Sequence, residues 1–113
     1  MSNGEIVMLG NDLMFGSKVE AMIRQAGFEP LLTGDPGEAL ARSASAKLLI
    51  VDLTDGSFDG TSTVADGTPT FGLYAHTDDE TRRRALDAGF VKVVPRSRMM
   101  REGSDLIAAA AAI

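Results

Sequence analysis

Residues 48–53 read LLIVDL, four aliphatic residues in succession followed by Asp52 and one more leucine. A strand with one wet face alternates apolar and polar residues, so a run that is apolar at every position predicts a strand covered on both faces. Such a strand belongs near the centre of a parallel sheet with helices above and below. The carboxylate at its end then acquires chemical interest, because open α/β sheets place their sites at the carboxyl ends of strands.

Working outward, this run extends from Lys47 to Leu53, and four others stand at Glu5 to Leu9, Phe28 to Leu32, Thr70 to Tyr74 and Phe90 to Val94. Segments of helical period separate them. Phe15, Val19, Met22, Ile23 and Ala26 form one apolar stripe that Asn11 or Asp12 can cap and Gly27 can end. Pro36 to Ser43 reads as a short second helix. Thr77 to Ala88 reads as another, with Thr77 and Glu80 at capping-box spacing and Gly89 as its stop, and Ser104 is placed to cap a last helix from Asp105 to Ile113. Strand and helix in alternation predict one α/β domain spanning residues 1–113. One connection breaks the alternation: LTDGSFDGTSTVADGTP, residues 53–69, is rich in Gly, Ser, Thr and Asp and has no helical stripe. A long loop or at most one helical turn is expected there.

Composition excludes several function classes. The chain has 113 residues, enough for one buried core, and no cysteine, which removes disulfides and thiolate metal sites. The net charge of -5 argues against a nucleic-acid binder, whose affinity comes from cations neutralising phosphates. That charge is uneven: residues 1–66 hold ten acidic and four basic residues, whereas 67–113 hold six acidic and seven basic. MSNGEIVML lacks a cationic segment leading into a long apolar stretch, and no run approaches the roughly 18 apolar residues of a membrane helix. A cytoplasmic protein without membrane contact is expected.

The order of these elements, with LLIVDL at 48–53, AGF at 26–28 and PTFGLYAHTDDETRRRALDAGFVKVV at 69–94, resembles the receiver domain of bacterial response regulators, the CheY-like family of two-component signalling. The resemblance covers almost the whole chain. It implies a flavodoxin-like fold with a five-stranded parallel sheet in the order 2-1-3-4-5, here with the third helix shortened or replaced by a loop. It also implies five pocket positions. An aspartate that accepts phosphate from a histidine kinase matches Asp52. An acidic pair that helps to hold Mg²⁺ falls on Gly10 and Asn11, neither of them a carboxylate; Asp12, next along, is either a substitute ligand or the helix N-cap. The switch threonine or serine corresponds to Tyr74. The lysine after the fifth strand corresponds to Arg96, with Pro95 before it and Ser97 after.

With four of five positions replaced, the resemblance implies a pseudo-receiver: a non-enzymatic domain without cofactor that signals by phosphorylation-independent protein–protein interaction. Its partners would be other signalling proteins, a histidine kinase, an effector domain or a second copy. The family's partner-binding face directs attention to Arg82, Arg83, Arg96 and Arg98. One alternative keeps Asp52 as a phosphate acceptor, with Mg²⁺ held weakly by Asp12 and Asp52. A second is a small-ligand domain with the glycine-rich connection as a lid. Asp55, Asp59 and Asp66 lack the spacing of an EF-hand and read as solvated loop acids. His76 reads as a loop histidine; Met99 and Met100 suit either a core or an adaptable surface.

Overall fold

The LLIVD stretch forms the middle strand of a five-stranded parallel sheet, in a computed structural model that describes residues 2–54 and 56–113. In chain order the elements are β1 (Glu5–Leu9), α1 (Leu13–Gln25), β2 (Glu29–Thr33), α2 (Pro36–Ser43), β3 (Leu48–Asp52), β4 (Thr70–Tyr74), α3 (Asp79–Ala88), β5 (Lys92–Pro95) and α4 (Arg96–Ala111). The sheet order is β2-β1-β3-β4-β5 with every pairing parallel, as the resemblance implies. Every residue of β3 is buried. Alternate strand residues point to opposite faces. Ile6, Met8, Leu48, Ile50 and Leu73 therefore join a core with α1 and α4, while Val7, Leu9, Leu49 and Val51 join another with α2 and α3.

Among its described residues the connection after β3 contains no helix. Phe58, 7% exposed, anchors it to the α2–α3 core, and the turns on either side place Gly56 and Gly67 at φ of 75° and 82°. Side chains satisfy the backbone that a helix would otherwise satisfy. Asp59 accepts from the Thr61 N–H at 2.9 Å, and the buried Thr68 hydroxyl donates to the Ser43 carbonyl at 2.7 Å.

One helix start follows the sequence expectations and two differ from them. Asp12 caps α1 by accepting from the Phe15 N–H at 3.0 Å. Asp78, not Thr77, caps α3, because its carboxylate accepts from both the N–H and the hydroxyl of Thr81. The last helix begins at Arg96 rather than Asp105, so Ser104 lies inside it. An apolar row at Met99, Gly103, Leu106, Ile107 and Ala110 carries α4 onto the core. Phe90 precedes β5 instead of opening it: its N–H bonds the Ala85 carbonyl past the Gly89 cap, and its ring packs over Gly72.

Candidate functional site

The carboxyl ends of β1 and β3, the start of α1 and the start of α4 meet at one point. Asp52 ends β3 and is 4% exposed. One of its oxygens, Oδ1, accepts from the Thr54 N–H at 3.1 Å and the Thr54 hydroxyl at 2.6 Å, a local turn in which the aspartate bonds the residue two positions on. Arg96, the first residue of α4, meets the same carboxylate edge-on. Its Nε donates to Oδ1 at 3.4 Å and its Nη2 donates to Oδ2. Nη1 turns the other way and donates to Asp12 Oδ2 at 3.2 Å, and the guanidinium carbon lies 4.1 Å from the centre of the Phe15 ring. One cation thus bridges two carboxylates over an aromatic floor. The planar fork of arginine supports this geometry, whereas the point charge of lysine does not.

The electrostatics follow from these contacts. The hydrogen bond from the Phe15 N–H holds the Asp12 carboxyl below the ordinary aspartate value; burial opposes this and Arg96 reinforces it. Burial opposes the charged form of Arg96, but its hydrogen bonds and charge pairing with Asp52 and Asp12 outweigh that and raise its pKa further. Helix α4 also opens with arginines at 96 and 98 and no acid in its first turn, which disfavours the helix N-terminus. The two aspartates compensate at Arg96, and Glu102 pairs with Arg98 at 3.2 Å.

A hard divalent cation does not suit this donor set. It prefers several anionic oxygens in open geometry, and here a guanidinium already spans the two carboxylates. Gly10 brings no side-chain ligand, although a β-carbon built on it would stand 3.6 Å from the Asp52 β-carbon, so it borders the pocket. Among the described residues no three His, Cys, Asp or Glu side chains gather as metal ligands. Asp55, one of the three loop acids, lies outside the described residues; Asp59 and Asp66 are exposed.

No family model matches the chain, and no curated protein does. Solved structures do. The signal receiver domain of the response regulator NarL from Mycobacterium tuberculosis superposes with a TM-score of 0.82 at 16% identity, covering 99% of this chain and 98% of that one. The receiver domain of a sensor histidine kinase from Pseudomonas aeruginosa, solved with magnesium in its active-site cleft, gives 0.73 at 18% identity over 99% and 100%. An orphan response regulator of H. pylori gives 0.76 at 16% over 97% and 98%. The chain has the receiver fold.

On this receiver fold the sequence-derived positions separate into two groups. Gly10, Asp12, Asp52 and Arg96 come together, and Asn11 is exposed beside them. Tyr74 does not join them. Along β4, Leu73 faces the α1–α4 core, so Tyr74 points to the opposite face and is buried with Val51, Leu53 and Phe90. Arg96 likewise leaves the expected interaction face, because its fork is committed to Asp52 and Asp12. Arg82, Arg83 and Arg84 are all exposed, and α3 fully buries only Ala85. Arg84 reaches toward Asp59 at 3.9 Å. Sequence reasoning missed Thr54 and the aromatic floor under Arg96. The D-L-T spacing at 52–54 is the signal for the first; Phe15 reads only as core.

Proposed function

We propose that this domain signals through phosphorylation-independent protein–protein interaction. The observation that supports this reading most directly is the Arg96 bridge. A phosphate acceptor needs a carboxylate oxygen free to attack and a cation left over to neutralise the transferring group. Here Asp52 spends Oδ1 on Thr54 and Arg96 and Oδ2 on Arg96, while Arg96 spends its remaining arm on Asp12. The pocket is closed by its own side chains. The interaction surface is assigned to the exposed arginines of α3, Arg82 and Arg83, with Arg98 at the start of α4. They stand in the more basic half of the chain, suited to an acidic partner surface.

Intact-mass spectrometry after incubation with acetyl phosphate, with and without Mg²⁺ and beside Asp52→Asn, tests the reading. The expected result is no added phosphoryl group under either condition. Addition of one group that requires both Mg²⁺ and Asp52 overturns it in favour of a phosphotransfer receiver.

A further inference from the structure

Between the carboxyl ends of β1 and β2 and the start of α1 lies a recess that neither the Arg96 bridge nor the arginine face uses. It is a cavity of about 150 Å³, walled by Met8, Leu13 and Leu32 and by Gly10, Gly16 and Gly34. None of these three glycines has a positive φ, so the backbone does not require them. What they supply is space. Gly16 stands inside α1, where glycine weakens a helix, and a β-carbon on it would come within 3.3 Å of Leu32 Cδ2 and narrow the recess. Met8, 2% exposed, is the most deeply buried of the apolar walls. A dry cavity of this size accepts one benzene-sized ring.

Two oxygens meet at its mouth. A β-carbon on Gly34 would stand 3.1 Å from Asn11 Oδ1 and 3.5 Å from the Gly10 carbonyl oxygen. Among the described residues no donor reaches either oxygen. Such a pair of acceptors is matched by a group that carries two N–H bonds. The charges nearby are committed or turned away. Asp12 lines the cavity, but its carboxylate accepts from the Phe15 N–H and from Arg96. Asp35 accepts from the Gly37 N–H as the cap of α2. Lys18, two residues past Gly16, lies about 200° further round α1. No Lys or Arg lines the cavity, so a carboxylate or phosphate finds no partner there, and apolar walls disfavour a buried charge of either sign.

We infer that this recess binds a neutral, planar one-ring molecule with an exocyclic amino group, an arylamine or an amino-substituted heterocycle. The ring lies among Met8, Leu13 and Leu32, and the amino group donates to the Gly10 carbonyl and to Asn11 Oδ1. Asp12 belongs both to this wall and to the Arg96 bridge, so an occupied recess abuts the side chain that holds Nη1 of Arg96. The domain thereby gains an input that needs no phosphate. The inference stands whether or not Asp52 accepts one.

The test titrates aniline, toluene and benzoate at neutral pH into the ¹⁵N-labelled domain. Aniline should shift the amides of Gly10, Leu13, Gly16, Leu32 and Gly34 saturably, with a Kd of about 1 mM, as suits a ligand of so few atoms. Toluene should move the same amides with about fivefold weaker affinity, since it forgoes the two hydrogen bonds, and benzoate should move none of them. Gly34→Ala, at an exposed position whose backbone tolerates alanine, places a methyl group against both acceptors and should reduce aniline to the affinity of toluene while leaving toluene unchanged. Gly16→Ala should weaken both ligands, with the fold of each variant checked by circular dichroism. Absence of a saturable aniline shift, shifts centred elsewhere, equal affinity for aniline and toluene, binding of benzoate to the same amides, or an unchanged preference in Gly34→Ala overturns the inference.

Discussion

Replacing Arg96 by methionine keeps an unbranched side chain over Phe15 and removes the charge. Asp52, its side chain 5% exposed, then retains the two Thr54 hydrogen bonds but loses both arginine contacts. Breaking a fully buried ion pair from one side costs about 3–5 kcal/mol. The Arg96 side chain is 29% exposed, so water screens part of that, and about 3 kcal/mol is the value to expect. For a domain of this size that is roughly a 12 °C fall in Tm. Asp52→Asn should cost less, about 1–2 kcal/mol, because its amide oxygen still accepts from Thr54 and Arg96 keeps Asp12. The double variant then loses less than the sum, by about 1.5 kcal/mol or more, since contacting residues are not additive. Urea unfolding of the four proteins by circular dichroism measures each corner of this cycle. A cost for Arg96→Met below about 1 kcal/mol, or strict additivity, refutes the claim that the bridge holds the pocket together.

Two further outcomes follow from groups elsewhere. Asp12, Asp59 and Asp78 are all held below the ordinary aspartate value, chiefly by hydrogen bonds from Phe15, Thr61 and Thr81, so the folded chain resists their protonation. Their contribution is full above the unfolded aspartate pKa of about 3.9 and is lost as pH falls through their lower folded values. Thermal melts should therefore be level in these contributions above about pH 5 and fall steeply below about pH 4, with a shallower fall in Asp78→Asn; an equal fall in that variant removes Asp78 from the account. At the α1–α4 contact, a β-carbon on Gly103 would run into Met22 Sδ. Gly103→Ala should be near neutral, because the flexible, half-buried Met22 can swing aside and the helix gains about 1 kcal/mol of propensity, whereas Gly103→Val should cost about 1–3 kcal/mol by overpacking. Denaturant midpoints that rank the two variants the other way would show that α1 and α4 are not so closely packed.

The fold was legible because hydrophobic period and strand order are local quantities. LLIVD at 48–52 carries no polar residue before its end, and the structure buries all of it. The start of α4 was harder to read. Four charged residues, Arg96, Arg98, Arg101 and Glu102, obscure the apolar row that begins at Met99, and Pro95 supplies backbone direction without a side-chain cap. Tyr74 illustrates a related point: a gap-free count gives the position along β4 but not which face a strand end presents. The partners of Arg96 lie 44 and 84 residues away in sequence, so no spacing could disclose that bridge.

Sequence comparison of single positions treats Gly10, Asn11 and Arg96 as three separate losses, yet the geometry makes two of them one change of chemistry. With no carboxylate at position 10, the pocket's charge is Asp12 and Asp52 against one guanidinium, which spans both from 3.2 Å on the Asp12 side. A lysine at position 96 would present a single point charge and could not contact both carboxylates through a rigid fork. A carboxylate at position 10, beside Asp52, would add negative charge that one arginine could not offset. Arginine at 96 and glycine at 10 therefore support each other, because one guanidinium reaches both of the carboxylates that are present. The proposed phosphorylation-independent role therefore draws its support from the whole pocket rather than from any one missing residue.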